Sequence, residues 1–284
     1  MSKKQKIILF DIIRIIGLLV ALSVLLYPTI SNYLYEKNSS RAVGYYDESI
    51  EKLTEEEHQA MLDKARRYNA SLVGNTGVSG DTFHTKEETS AEYEKLLVVD
   101  GTGMMGYIII PKIDIELPIY HTTKEAVLQR GVGHFPSSSL PVGGETSHAV
   151  LTGHRGLPSK KLFTDLDKME EGDIFYIRVA EETLAYQVNQ ILTVLPEETD
   201  ALQIENGKDY VTLVTCTPYA VNTHRLLIRG TRIPYEEAEA VAPPEIDRRI
   251  KLPFEVQVLL IGLGVLLVTI IIWIIIRKVR RKRK

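Results

Sequence analysis

Apolar and polar positions follow three rhythms along the chain. Residues 256–276 (VQVLLIGLGVLLVTIIIWIII) are an apolar run of 21 residues without a charge. A helix rising about 1.5 Å per residue over that length matches the roughly 30 Å hydrocarbon core of a bilayer. Trp273 stands near its basic end, where an interfacial indole is favourable. A second apolar stretch covers residues 7–30, interrupted by Asp11 and Arg14 and cleanest from residue 15 onward. A basic start followed by an apolar run is the pattern of a signal peptide or a signal anchor. Ser31-Asn32-Tyr33 does not fit a small-x-small cleavage site, so residues 1–30 are expected to be a cytoplasmic tail and an uncleaved anchor.

Between residues 31 and 104 the rhythm is helical and polar. Thr54 and Glu57 stand three apart, as in a capping box. Met61, Ala65, Tyr68 and Leu72 then recur at helical spacing and predict one apolar stripe packed on the main domain. Glu51, Glu55, Glu56, Glu57 and His58 are expected on a solvated face. Gly74, Gly77 and Gly80 mark a flexible loop over about 74–90, and residues 90–97 predict a second short helix.

From 105 to 235 the pattern changes to short runs rich in Ile, Val, Tyr and Thr. They cover 106–110, 115–120, 149–151, 174–179, 183–194, 210–215 and 225–233, separated by turn residues such as Glu171-Gly172-Asp173 and Asn206-Gly207. So many strands in so short a span predict a mostly β domain, a closed barrel or a sandwich. Short helices are expected near 124–130 and 162–169. Residues 236–255 read as a linker, acidic and rich in Pro and Ala at first. Residues 256–276 read as a second membrane helix and 277–284 as a basic cytoplasmic tail.

Charge sharpens the picture. The net charge is −3, yet residues 1–14 sum to +3 and residues 277–284 to +7, leaving −13 between them. An acidic middle argues against nucleic acid, whose binding needs a basic patch. Basic ends favour the cytoplasmic side, which places residues 31–255 outside. A single cysteine, Cys216, excludes an intrachain disulfide. Outside the cell such a thiol is either inert or reactive.

Cys216 ends the run Thr212-Leu213-Val214-Thr215, and Arg225 opens the next run nine residues later. If those runs pair as a hairpin, the two side chains meet across the ladder. His154 follows another strand-like run, 149–153. A cysteine nucleophile, an imidazole and a guanidinium make a workable acyl-transfer set. A cationic neighbour stabilises the thiolate. Histidine can protonate a leaving amine and deprotonate an attacking one. A guanidinium can donate to an oxyanion on the scissile carbonyl.

The residues themselves resemble a family. Thr212-Leu213-Val214-Thr215-Cys216 matches the TLxTC signature of sortases and continues through Thr217-Pro218 to Arg225. Leu151-Thr152-Gly153-His154-Arg155-Gly156 is similar to the sortase histidine motif. The resemblance implies a closed eight-stranded β-barrel and a membrane-bound cysteine transpeptidase of Gram-positive bacteria, cutting an LPXTG-type signal between Thr and Gly. Cys216 is then the nucleophile, His154 the acid/base and Arg225 the oxyanion or substrate-positioning group. The other histidines are weaker candidates: His134 and His148 could line the site, and His224 shapes its loop.

The C-terminal span and the polar segment before the barrel resemble class C sortases, which polymerise pilins. Their lid carries an Asp-Pro-aromatic motif; here Gly80 precedes Asp81-Thr82-Phe83, with Thr82 in place of proline. By that resemblance Asp81 faces Arg225 and Phe83 covers Cys216. Partners are then pilins or other LPXTG-bearing surface proteins and the lipid bilayer, through two spans. Neither a cofactor nor a metal is implied: no Cys/His cluster has zinc spacing, and Glu197-Glu198, Asp165 and Asp167 read as solvated surface. The rival readings are a sortase that attaches proteins to cell-wall peptide and an idle membrane scaffold that binds sorting signals.

Overall fold

The structure is a computed structural model that describes residues 3–74, 78–83, 89–99, 101–244, 257 and 260–264. Most of the expected second span, the end of the linker and the basic tail lie outside the described residues. Contacts divide the chain into two units, one of residues 1–33 with 248–284 and one of residues 34–247.

In the first unit the apolar side chains between residues 9 and 30 are mostly exposed, as a helix meant for lipid leaves them. They belong to α1 (Lys3–Ile50), which continues through Pro28. Among the described residues one helix is long and apolar enough to cross a membrane, within Ile12–Ile50.

In the second unit the last turns of α1 change character. Ser39, Val43, Tyr46 and Ile50 are buried at helical spacing. Tyr46 Oη donates to the carbonyl of Met105 and accepts from the Ala180 N–H. α2 (Glu55–Leu72) starts at the expected capping box: the Glu57 N–H donates to Thr54 Oγ1 and the Thr54 N–H to Glu57 Oε2. Its buried stripe is His58, Leu62, Ala65 and Asn69, with Met61 and Tyr68 half-covered beside it. This corrects the expected stripe by a small rotation, and it corrects His58, which is 3% exposed. Asn69 anchors the helix through a reciprocal pair with the backbone of Leu140. The second short helix shrinks to a single 3-10 turn, Tyr93–Lys95.

The barrel is built from β1 (Met104–Ile110), β2 (Ile115–His121), β3 (Val132–His134), β4 (Ser147–Thr152), β5 (Ile174–Val179), β6 (Glu182–Val194), β7 (Asp209–Thr217) and β8 (His224–Ile233). They close in the order β1-β2-β3-β4-β7-β8-β6-β5. The β2–β3 and β4–β7 pairs are parallel and the others antiparallel. Closure leaves no strand edge open for pairing with another chain. Every residue of β1 is buried, because α1 covers its outer face. Inside, Phe175 stacks on Tyr186 at 5.6 Å, and Gly230 makes room for them: a Cβ there would lie 2.5 Å from the Phe175 ring.

Between β2 and β3 lies α3 (Glu125–Leu128), near the expected position. The helix expected at 162–169 is again a 3-10 turn, Leu166–Lys168. A last helix, α4 (Tyr235–Val241), occupies the start of the expected linker; its Ala238 is buried and the carbonyl of Ala242 accepts from Tyr176 Oη.

Candidate active site

The β7–β8 ladder pairs Cys216 directly with Arg225, one step before Thr217 meets His224 at the strand ends. Directly opposed Cβ atoms in such a ladder lie roughly 4.5–5.5 Å apart, whatever the side chains do. On the other flank β4 runs parallel to β7, with Thr152 level with Val214. Past the end of β4 the chain stays tied to β7. The Gly153 N–H donates to the Val214 carbonyl at 3.0 Å, and the Gly153 carbonyl accepts from Thr215 Oγ1 at 2.7 Å. His154 is thereby delivered to the same rim as Cys216. Position 153 needs glycine, since a Cβ there would lie 2.6 Å from the Phe163 ring.

Residues 78–83 of the glycine-rich loop cover this rim. Arg225 Nε donates to Asp81 Oδ1 at 2.9 Å and its Nη2 to Oδ2 at 2.7 Å, a bidentate pair. Arg225 Nη1 donates to the carbonyls of Asn222 and His224. The guanidinium carbon lies 5.0 Å from the centre of the Phe83 ring, and that ring lies 5.7 Å from the His154 imidazole. Phe83, Val78 and Cys216 share one apolar cluster with Val214 and Leu227. Cys216 is left 9% exposed.

Where the family pattern has proline, this chain uses a different brace. Asp81 Oδ1 also accepts from the Phe83 N–H at 3.1 Å, an Asx-type turn that fixes the loop tip. Thr82 between them is buried, and among the described residues its Oγ1 has no hydrogen-bond partner.

The electrostatics describe a resting site. Burial pushes the Cys216 thiol up; the Arg225 guanidinium pulls it down and the Asp81 carboxylate pushes it up again. For Arg225 burial opposes the charge, but the bond to Asp81 and the negative charges of Cys216 and Asp81 together outweigh it and hold the guanidinium charged. The cation best placed to stabilise a thiolate or an oxyanion is therefore occupied by a carboxylate while the lid is down.

Residues of a kind that sequence patterns do not reveal complete the surroundings. His154 Nε2 lies 3.1 Å from Glu125 Oε2, so a protonated Nε2 donates to that carboxylate. Glu125 is an exposed acid at the start of α3, 29 positions from its partner, and carries no signal in sequence. Gln203 Nε2 donates to the Val78 carbonyl at 2.8 Å, a second attachment for the lid. Arg155 is locked by Thr217 Oγ1, the Thr164 carbonyl and Asp167.

The other histidines lie elsewhere. His134 and His148 are fully buried, which corrects the expectation that they line the site. His134 donates from Nε2 to the Ser139 carbonyl, beside Tyr93 Oη, and burial pushes it down to about 3. His148 bridges the Gln203 carbonyl and Thr212 Oγ1, and burial pushes it down to about 4. His224 pairs with Thr223 Oγ1, and Arg229 with Glu205. His84 lies outside the described residues. The acids weighed as surface have ordinary partners: Asp165 with Lys161 and Lys168, Asp167 with Arg155, Glu198 with the Leu195 N–H.

A closed barrel that pairs a lone cysteine with an arginine, beside a histidine delivered from the neighbouring strand, defines a thiol-dependent acyl-transfer enzyme. Residues 108–233 match the family model for the sortase domain. Sortase A of Streptococcus agalactiae is 32% identical over 181 residues, 61% of this chain and 72% of that protein. Sortase A of Staphylococcus aureus is 27% identical over 76% of this chain and 89% of that one. Among solved structures, sortase C1 from S. agalactiae is 48% identical, with a TM-score of 0.63, covering 68% of this chain and 98% of that one. Sortase C of Streptococcus pneumoniae is 45% identical, with a TM-score of 0.65, covering 69% and 97%. The chain belongs to the sortase family of cysteine transpeptidases, and these solved neighbours are class C members.

Proposed function

We propose that this chain polymerises pilins. It cuts an LPXTG-type sorting signal between Thr and Gly and joins the acyl half to a lysine amine of the next pilin. The observation that carries this reading is the lid: an Asp81–Arg225 pair closing a barrel rim whose solved relatives are class C sortases.

The chemistry follows from the residues. With the lid away, the Cys216 thiolate attacks the threonine carbonyl carbon. Arg225, released from Asp81, donates to the oxygen that takes the negative charge. His154 gives a proton to the glycine nitrogen as the C–N bond breaks, leaving a thioester on Cys216. A lysine amine then attacks the thioester and passes a proton to His154. The C–S bond breaks, returning the thiolate and leaving an isopeptide bond. Glu125 orients the imidazole between these two transfers.

Residues 1–30 anchor the chain and 256–276 cross the membrane a second time, with both termini cytoplasmic. The helical segment 31–104, the barrel 105–235 and the linker 236–255 then lie outside a Gram-positive cell. The exposed apolar face of α1 and the basic ends support this arrangement. Holding the site at the membrane keeps it near substrates that are themselves still anchored.

The test is to incubate the full chain in detergent with a purified LPXTG-bearing pilin. Ladders of covalent oligomers that need Cys216 support polymerisation. The likeness to the sortase A proteins favours a second reading, attachment of surface proteins to a cell-wall peptide. That reading predicts transfer to short peptide amines without ladders.

A further inference from the structure

A histidine and two glutamates meet far from the thiol in sequence and in role. His58 on α2 is 3% exposed, and both ring nitrogens face acceptors. Nε2 lies 2.9 Å from the Ile50 carbonyl at the end of α1. A carbonyl only accepts, so Nε2 carries the proton and donates. In the neutral ring Nδ1 is then a bare lone pair, and it lies 3.2 Å from Glu181 Oε2 in the turn between β5 and β6. Glu55, one helical turn before His58, brings a second carboxylate: one ligand atom from each of Glu55, His58 and Glu181 lies within 4.8 Å of the others. Among the described residues no donor faces Nδ1. Three lone-pair donors, one of them on a buried ring, thus lie close enough together to share one cation.

We propose that Glu55, His58 and Glu181 bind a divalent transition-metal ion of the Zn²⁺ class. The ligand types fit it, one imidazole nitrogen and two carboxylates. The bond from Nε2–H to a backbone carbonyl is the support that orients a metal-bound histidine. Three protein ligands with two exposed carboxylates leave water a place in the shell. Spacing along the sequence does not reveal this site, because Glu181 is distant from the other two. The ion cross-links α2 to the β5–β6 turn, while His58 holds the end of α1. It therefore clamps the helical segment that leads into the lid onto the barrel.

The alternative occupant is a proton, which makes His58 an imidazolium paired to Glu181. Metal ions also bind thiolates, so the test uses the full chain in detergent with Cys216→Ala, titrated with ZnCl₂ after chelator treatment. The expected results are one Zn²⁺ per chain at saturation, weaker binding as pH falls, and a melting temperature that rises with metal. Glu181→Gln and Glu55→Gln change exposed side chains and leave the fold intact; each is expected to weaken binding at least tenfold. His58→Gln is expected to abolish it. Absence of stoichiometric Zn²⁺, or affinity unchanged in both glutamine variants, overturns the proposal and leaves the proton as the occupant.

Discussion

The β7–β8 rim and the segment 78–83 meet at the same atoms but are held in different ways. The rim is placed by backbone: the ladder runs without a break from Tyr210 opposite Thr231 to Thr217 opposite His224. Cys216 cannot leave Arg225 unless the register slips, and a slip would turn every side chain of the strand to the other face. The lid is placed by side chains, among the described residues by a bidentate ion pair at Asp81, apolar plugs at Val78 and Phe83, and a bond from Gln203. Hydrogen bonds to charged groups are worth about 1.5–3 kcal/mol and neutral ones about 0.5–1.5 kcal/mol. A segment held by side-chain attachments of this kind can open as a minor state without disturbing the barrel. On the proposed reading the reacting groups are thus fixed by the fold, and access to them by a releasable latch.

Substitutions on the rim are expected to have the largest effects. Cys216→Ala should reduce transpeptidation by roughly 10⁴-fold or more in a peptide-transfer assay. Arg225→Lys should cost about 10²–10³-fold, because a point charge does not reproduce a planar fork aimed at an oxyanion. A Lys variant with near-normal rates would remove the oxyanion role.

Substitutions in the lid should act in the opposite direction on the thiol. Asp81→Ala should speed alkylation of Cys216 by about 10–100-fold, the loss of one charged bond or more. The chain has no other cysteine, so labelling of the intact protein reports this site alone. Gln203→Ala should speed labelling only about 2–10-fold, as one neutral bond to Val78 is lost. An effect of opposite sign is expected from Thr82→Val. It removes a buried hydroxyl that has no hydrogen-bond partner among the described residues, and should slow labelling about fivefold by stabilising the closed lid. Equal effects of Gln203→Ala and Asp81→Ala would mean that the latch is not centred on the ion pair.

Much of the barrel is legible in sequence because β5 to β8 are long, β-branched and bounded by turn residues. β3 escapes such a reading: Val132–His134 is three residues long and finds its place only by pairing in parallel with β2. The anchor expected over residues 1–30 is part of a longer helix: α1 continues through Pro28 to Ile50, and Val43 and Tyr46 near its end are buried against the barrel. His58 follows three glutamates and reads as solvated, yet the Glu181 turn and the end of α1 cover it. Cys216, Arg225 and His154 could be singled out because their motifs lie at strand ends. Glu125 and Gln203 could not, since neither belongs to a local pattern and each depends on a contact made only in the folded chain.

The claim at the centre is that the closed lid, first by burying Cys216 and then by seating the Asp81 carboxylate on Arg225, favours the un-ionised thiol. Its most direct test is the pH dependence of Cys216 alkylation in the full chain and in Asp81→Asn. Burial and the Asp81 charge both push the thiol up, and Arg225 alone pulls it down. Removing that negative charge should therefore move the half-rise of the alkylation rate to lower pH, with a faster rate on the neutral side. Superimposable profiles for the two proteins would contradict the claim.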